Sequence, residues 1–276
     1  MRIDAHQHYW RIERGDYGWI TPDINMLYRD FMPEDLASSL SKHELNGSIV
    51  VQAAPTLDET DFILELAEKT ESILGVVGWL DLFDPAHQQH YDRFREYTKF
   101  LGFRIMIQEM SDSSCILDPR FITALQGYAD RDVPIDLLVL SDQLEHTVQL
   151  LQQVPNLRGV IDHLAKPKVK EGEMDNWLRA MQEISCFPNM YCKLSGIVTE
   201  GNHSKWKPED FKPYIHSVLE LFGPNRVMFG SDWPVCLMAA DYDEVIQLLQ
   251  ESIPTKWGDQ ERANLFGWNA KEFYKL

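Results

Sequence analysis

Two histidines, His6 and His8, are separated by a single residue near the start of the chain. Side chains two residues apart in an extended strand point to the same face, and their Cα atoms lie roughly 6.5 Å apart at the usual rise per residue. Two imidazoles placed in this way can share one metal ion or one substrate oxygen. A His-x-His pair also arises by chance, so the surrounding segments decide what it means.

A carboxylate and a third histidine each end an apolar run of strand length. Asp232 ends the segment 226–232, where burying a carboxylate costs free energy unless the group is paired or functional. His163 ends the segment 158–163 in the same way. A histidine at such a strand end needs a partner at the same opening, so we expect both side chains to be functional.

Apolar segments of strand length alternate with helical segments along the whole chain. The predicted strands cover residues 3–8, 48–54, 74–81, 100–107, 133–139, 158–163, 190–196 and 226–232. The predicted helices cover residues 33–45, 58–72, 87–99, 119–131, 144–154, 173–186, 207–222 and 241–252, and a terminal helix over 267–276 is expected to cover the outside of the fold. Strict alternation predicts one domain over residues 1–276, a single (β/α)8 TIM barrel.

The active site of such a barrel lies at the C-terminal ends of its strands. Polar residues that end or nearly end a predicted strand are His6, His8, Gln52, Asp81, Arg104, Asp136, His163, Lys193, Ser195 and Asp232. Three histidines and one carboxylate are therefore expected to converge on one pocket.

Two basic side chains at strand ends have two interpretations each. Lys193 could contact substrate oxygens, or it could neutralise Asp232 or Asp162. Arg104 could bind a carboxylate or hydroxyl group, or it could form a salt bridge to Asp81 or Glu109. The sequence alone leaves both alternatives open.

An aromatic segment over residues 9–31 follows the first strand and predicts a binding lid, because loops at strand ends commonly carry binding residues. Trp79 and Trp233 at strand ends could stack on the face of a sugar, although packing is the alternative for each, as it is for Trp10 in the aromatic loop. The candidate substrate contacts are Arg104, Trp10, Trp79, Lys193 and Gln52.

The charge balance bounds the partners of this 276-residue chain. Asp and Glu total 43 against 26 Lys and Arg, and the net charge of −17 argues against nucleic-acid binding, which needs a basic surface.

The four cysteines form no C-x-x-C pair, so we expect reduced thiols. No N-terminal segment resembles a signal peptide, and no run approaches the roughly 20 apolar residues of a membrane span. We expect a cytoplasmic protein with no membrane partner, and the sequence leaves a homo-oligomer open.

Seven segments resemble, in order, motifs of the amidohydrolase-related (amidohydrolase 2) lactonases, a group that includes L-fuconolactonase and L-rhamnonolactonase. They are Asp4-x-His6-x-His8-x-Trp10, Gly78-Trp79-Leu80-Asp81, Gly102-Phe103-Arg104, Asp162-His163-x-x-Lys166-Pro167, Lys193-Leu194-Ser195-Gly196, Phe229-Gly230-Ser231-Asp232-Trp233-Pro234-Val235 and Asn269-Ala270-x-x-x-Tyr274. The resemblance implies a barrel of the metal-dependent hydrolase type. It also implies a hydrolase that opens a lactone ring, with Asp232 activating water and His6, His8 and His163 surrounding the metal ion or the substrate carbonyl.

Two arrangements of the same residues could activate that water. In the first, His6, His8, His163 and Asp232 bind a divalent ion, which lowers the pKa of its bound water to about 7. In the second, Asp232 takes the proton directly, while the histidines and Arg104 donate hydrogen bonds to the substrate. Three histidines and one carboxylate resemble a zinc ligand set. We therefore favour a bound Zn or Mn ion and leave open whether turnover requires it.

The expected activity is hydrolysis of a sugar-derived lactone, an aldonolactone such as L-fucono- or L-rhamnonolactone. The alternatives within the same superfamily are a zinc-dependent decarboxylase and a dicarboxylate-lactone hydrolase. A sugar-acid-binding protein without catalysis is an alternative of another class, but it would have no need of a water-activating carboxylate beside three histidines. A small-molecule lactone is therefore the expected partner.

Overall fold

Eight parallel strands form one sheet in chain order in the computed structural model, which describes residues 1–276. The strands are β1 (Ile3–Gln7), β2 (Gly47–Val51), β3 (Ile73–Trp79), β4 (Phe100–Met106), β5 (Ile135–Leu138), β6 (Gly159–Ile161), β7 (Met190–Leu194) and β8 (Val227–Phe229). A parallel bridge between Gln7 and Trp233 joins the two edges of the sheet. The predicted TIM barrel is therefore confirmed.

Ten α-helices accompany the strands. They are α1 (Pro33–Lys42), α2 (Leu57–Glu68), α3 (His87–Phe94), α4 (Pro119–Ala129), α5 (Leu144–Gln153), α6 (Asp175–Ser185), α7 (Pro208–Phe222), α8 (Tyr242–Ser252), α9 (Asp259–Ala263) and α10 (Asn269–Tyr274). Three begin with proline, whose fixed φ suits the first helical position. None of the helices is both long and apolar enough to span a lipid bilayer.

The strands are shorter than predicted at their C-terminal ends. The apolar runs themselves form the ladder, as in Ile49, Val50 and Val51 of β2, which are fully buried because both faces of a parallel barrel are covered. Some of the polar residues, such as Arg104 and Lys193, lie within strands, but others lie beyond the last ladder residue. His163 follows β6 and Asp232 follows β8, each with a left-handed backbone.

The C-terminal helix α10 packs beneath the barrel interior. Ala270, Phe273 and Tyr274 belong to one cluster with side chains from β1, β2, β3, β6 and β8. Strands β2 and β6 lie far apart around the barrel and can share a cluster only through its interior. The expectation that residues 267–276 cover the outside was therefore wrong. An amphipathic pattern specifies that a helix buries one face, but not which apolar surface receives it.

Candidate active site

The two N-terminal histidines lie side by side and are almost fully buried. Their ring centroids are 5.0 Å apart, with planes nearly perpendicular. His8 Nδ1 lies 2.7 Å from the carbonyl oxygen of Val51 in β2, so this nitrogen carries the proton and donates it to that oxygen. The Nε2 atom of His8 is then an acceptor that faces the barrel mouth.

Asp232 is the point on which the three histidines converge. Its Oδ1 atom lies 3.2 Å from Nε2 of His8, 3.9 Å from Nε2 of His6 and 3.8 Å from Nε2 of His163. The backbone nitrogen of Asp232 donates to the carbonyl oxygen of His6 at 2.8 Å, which holds the left-handed turn against β1. The structure thus brings together the four residues that the sequence predicted as a site.

The electrostatics of the group favour an ionised Asp232 carboxylate beside neutral His6 and His163 rings. Burial acts to raise the pKa of Asp232, but the neighbouring His163 and His8 rings more than offset it, so the pKa lies below its usual value. Burial also holds the pKa of His6 and of His163 well below the usual range. Neutral imidazoles and an ionised carboxylate are the forms that bind metal ions.

The donor set fits a divalent ion of the zinc type. Nε2 of His6 is buried and has no hydrogen-bond partner in the protein. One ligand atom each from His6, His8 and Asp232 lies within 4.8 Å of the others. Tetrahedral zinc with bonds near 2.1 Å places its ligands about 3.4 Å apart, close to the separations around Asp232. A metal ion here would give the orphaned nitrogen a partner.

His163 begins a left-handed turn of four residues. The φ angles of His163, Leu164, Ala165 and Lys166 are 52°, 53°, 58° and 45°. Residues other than glycine pay about 1–2 kcal/mol each for this backbone. Burial of Leu164 and Ala165 and a 2.7 Å hydrogen bond from Trp177 Nε1 to the Leu164 carbonyl hold the turn. The Nδ1 atom of His163 lies 2.9 Å from Ser195 Oγ.

A buried ion network lies beneath the histidines. Lys193 Nζ contacts Asp136 and lies 3.2 Å from both Asp162 Oδ1 and His6 Nδ1. Tyr274 of α10 donates to Asp136 at 2.7 Å. Lys193 is fully buried and does not line the cavity at the barrel mouth. Its position therefore matches the predicted neutralisation of Asp162 rather than the predicted contact with substrate.

Arg104 occupies the cavity wall but is held by the protein. Its Nη1 atom lies 3.4 Å from Asp162 Oδ2, and its Nη2 atom donates to the carbonyl oxygen of Gln52. The predicted alternatives Asp81 and Glu109 are not its partners. The interior carboxylate of Asp162 satisfies it instead, and the Gln52 side chain is buried without a hydrogen-bond partner.

A cavity of about 140 Å³ opens above these residues. Its polar wall includes His8, Arg104, His163, Lys166 and Asp232, with Gln108 and Glu109 beside them. Its apolar wall consists of Trp19, Ala53, Met106, Leu138 and Val235. A cavity with one polar wall and one apolar wall suits a small, hydroxylated molecule with one apolar substituent.

The predicted tryptophans lie elsewhere. Trp10 is fully buried, packs against Trp19 and Phe31, and donates to the Arg29 carbonyl at 2.9 Å. Trp79 lines a neighbouring cavity, not the one above Asp232. The aromatic loop does reach the site, but through Trp19, whose Nε1 donates to Ala53.

Lys166 lines the cavity but was not among the site residues predicted from the sequence. Its signal was present in the Asp-His-x-x-Lys-Pro segment, which contains one of the predicted histidines. The left-handed turn brings both ends of that segment to the cavity.

Comparisons with known proteins cover the whole chain. The sequence model of the amidohydrolase family matches residues 3–276. Two relatives named L-fucono-1,5-lactonase, from Burkholderia ambifaria and Burkholderia multivorans, are each 36% identical over 100% of this chain and 96% of their own length. A crystal structure of an amidohydrolase from Burkholderia multivorans with bound zinc superposes with a TM-score of 0.94 at 36% identity, covering 100% of this chain and 99% of that one.

Proposed function

Because the chain belongs to the amidohydrolase family, we propose that it is an enzyme that hydrolyses the ring ester of a sugar-derived lactone. The observation that carries the proposal is the full-length similarity to two L-fucono-1,5-lactonases. The convergence of three histidines on Asp232 supports it, because ester hydrolysis needs an activated water beside a polarised carbonyl. An aldonolactone of the L-fuconic type is the leading substrate.

Asp232 is the proposed base that takes a proton from the attacking water. Its lowered pKa keeps the carboxylate ionised at neutral pH, and it lines the cavity in which the lactone would bind. The 2.8 Å hydrogen bond from the Asp232 backbone nitrogen to the His6 carbonyl holds the turn that carries this carboxylate, and Nε2 of His8 lies 3.2 Å from its Oδ1 atom. His163 lines the same cavity and is placed to orient the reacting groups.

His6, His8, His163 and Asp232 would hold a divalent ion, and the zinc in the related structure makes Zn the first candidate, ahead of Mn. When bound, such an ion lowers the pKa of water and polarises the carbonyl group. Asp162 and Lys193 both face His6 Nδ1 and fix the ring so that Nε2 faces the mouth.

The apolar wall supports a deoxy sugar as the substrate. Met106, Leu138 and Val235 offer no hydrogen-bonding side chain to a hydroxymethyl group, whereas a methyl group would pack against them. The dicarboxylate-lactone alternative is less suited, because Arg104 already binds Asp162 and leaves only Lys166 for a second carboxylate. The four free cysteines support a cytoplasmic location.

The test is acid release, followed with a pH indicator, from a panel of L-fucono-, L-rhamnono-, L-galactono- and D-xylonolactone. The enzyme is used stripped by a chelator and reconstituted with zinc or manganese. Selective hydrolysis of the L-fucono lactone by the reconstituted enzyme is the expected result. Absence of turnover on every lactone, with or without metal, would refute the lactonase assignment, and bicarbonate release from a carboxylated substrate would favour the decarboxylase.

A further inference from the structure

Lys166 is a cation in the cavity wall without a protein partner. Arg104, the other cation there, is bound to Asp162 and to the carbonyl of Gln52. The Lys166 ammonium group makes no hydrogen bond or ion pair within the protein, although it lines the same cavity as Asp232. Surface lysines commonly lack partners, but this one faces the cavity that holds the proposed base.

The backbone around Lys166 is strained. Four successive left-handed residues from His163 to Lys166 persist because buried neighbours and the hydrogen bond from Trp177 hold them. Strain of this kind is concentrated at functional sites, where it places side chains that a relaxed chain would not. Here it brings His163 and Lys166 to one cavity within four residues.

Lactone hydrolysis also needs a proton for the ring oxygen when the C–O bond breaks, and the histidines, Trp19 and Arg104 of the wall are already engaged. Both nitrogens of His8 are engaged, by Val51 and Asp232, and those of His163 face Ser195 and Asp232. The Trp19 N–H donates to a backbone carbonyl. Arginine does not give up its proton in proteins.

We propose that Lys166 is a catalytic residue that donates a hydrogen bond, and then a proton, to the leaving ring oxygen. The inference rests on the proposed lactonase function. It adds Lys166 as the general acid to Asp232 as the general base. Asp232 takes one proton as the water oxygen bonds to the carbonyl carbon. The ring C–O bond then breaks, its electron pair stays on the ring oxygen, and that oxygen takes the proton from Lys166. Solvent returns a proton to Lys166 and removes one from Asp232.

The first test compares Lys166→Gln and Lys166→Arg with Lys168→Gln in the zinc-reconstituted enzyme. Lys168 is exposed, lies two residues away and pairs only with Glu173, at 3.6 Å, so it is the matched control. Loss of a general acid lowers kcat by about 10²- to 10⁴-fold. We expect that loss for Lys166→Gln on L-fuconolactone, a smaller loss for Lys166→Arg, and wild-type kcat for Lys168→Gln, with equal zinc content and circular dichroism in all three.

The second readout separates proton donation from a merely structural role. Dihydrocoumarin has a phenol leaving group that needs little protonation, so Lys166→Gln should lose far less activity on it than on L-fuconolactone. If the wild type does not hydrolyse dihydrocoumarin, the deciding measurement is rescue of Lys166→Ala by ethylammonium but not by tetramethylammonium, which carries no proton.

Equal losses on both lactones, no rescue by ethylammonium, or wild-type kcat in Lys166→Gln would overturn the role of Lys166 and leave the lactonase function standing. A wild-type enzyme that hydrolyses no lactone would overturn both.

Discussion

Nε2 of His8 lies 3.2 Å from Oδ1 of Asp232, although 224 residues separate the two in the chain. The contact joins the first strand to the segment after the last one, across the seam where the barrel closes. The segments that close the barrel therefore also carry two residues of the site.

Asp232→Asn should abolish turnover without unfolding the protein. Asparagine has nearly the same shape, but it cannot take a proton from water, and loss of a general base lowers rates by about 10²- to 10⁴-fold. Steady-state kinetics on L-fuconolactone measure the loss, and circular dichroism checks the fold. Hydrolysis near the wild-type rate would remove Asp232 as the base.

Gly196→Ala should disable the site through a single methyl group. A Cβ at this position would lie 2.5 Å from His163 Nδ1 and 2.8 Å from Asp232 Oδ2, and the φ angle of +62° adds strain. We expect loss of most activity together with reduced zinc content. Gly127→Ala is the control, because this exposed glycine of α4 has nothing within 4 Å of a built Cβ. It should keep full activity and be slightly more stable.

The histidines and Asp232 could be predicted from sequence because strand ends have a definite place in a parallel barrel. Each lies at the end of an apolar run, and eight such runs specify one mouth. The positions of Trp10 and Trp19 could not be predicted in this way, because a loop has no periodicity that says which ring is inside. Trp10 packs in the core and Trp19 reaches the cavity.

Lys166 and Lys193 illustrate a second limit. A left-handed backbone is usually indicated in a sequence by glycine or asparagine. The turn over residues 163–166 contains neither, so nothing in the sequence indicated that Lys166 would face the cavity. Lys193 lies near the end of a strand as predicted. Whether its side chain contacts substrate or interior carboxylates depends on how deep within the barrel the residue lies. That depth depends on the stagger between strands, which residue types alone do not reveal.

Tyr274→Phe should destabilise the protein more than it impairs chemistry. It removes the 2.7 Å hydrogen bond to Asp136 in the barrel interior, and a buried acceptor that loses its partner costs about 1–3 kcal/mol. Urea unfolding measures the change. Tyr28→Phe is the control, since Tyr28 is 43% exposed and its hydroxyl has no protein partner. Equal stability of the two variants would contradict a stabilising role for the contact between α10 and the barrel interior.

His6→Ala should lose bound metal as well as activity. The Nε2 atom of His6 has no partner in the protein, so its only proposed contact is the metal ion. Elemental analysis of protein reconstituted with zinc should show a clear loss of zinc relative to wild type. His216→Ala, on helix α7 and away from the cavity, should retain it. Unchanged zinc in His6→Ala would remove His6 from the ligand set.

Glu59 should make the stability of the protein depend on pH. Burial raises its pKa to about 8, since only Oε1 has a partner, the Ala53 amide at 2.9 Å, while Oε2 has none. A carboxyl group whose pKa is raised on folding favours the folded state below its ordinary pKa of 4.5. That advantage is lost as the pH rises toward 8, by up to about 1.4 kcal/mol per pH unit. Glu59→Gln stays neutral, so its unfolding free energy in urea should exceed that of wild type by more at pH 8 than at pH 5. A constant difference across this range would show that Glu59 does not titrate there.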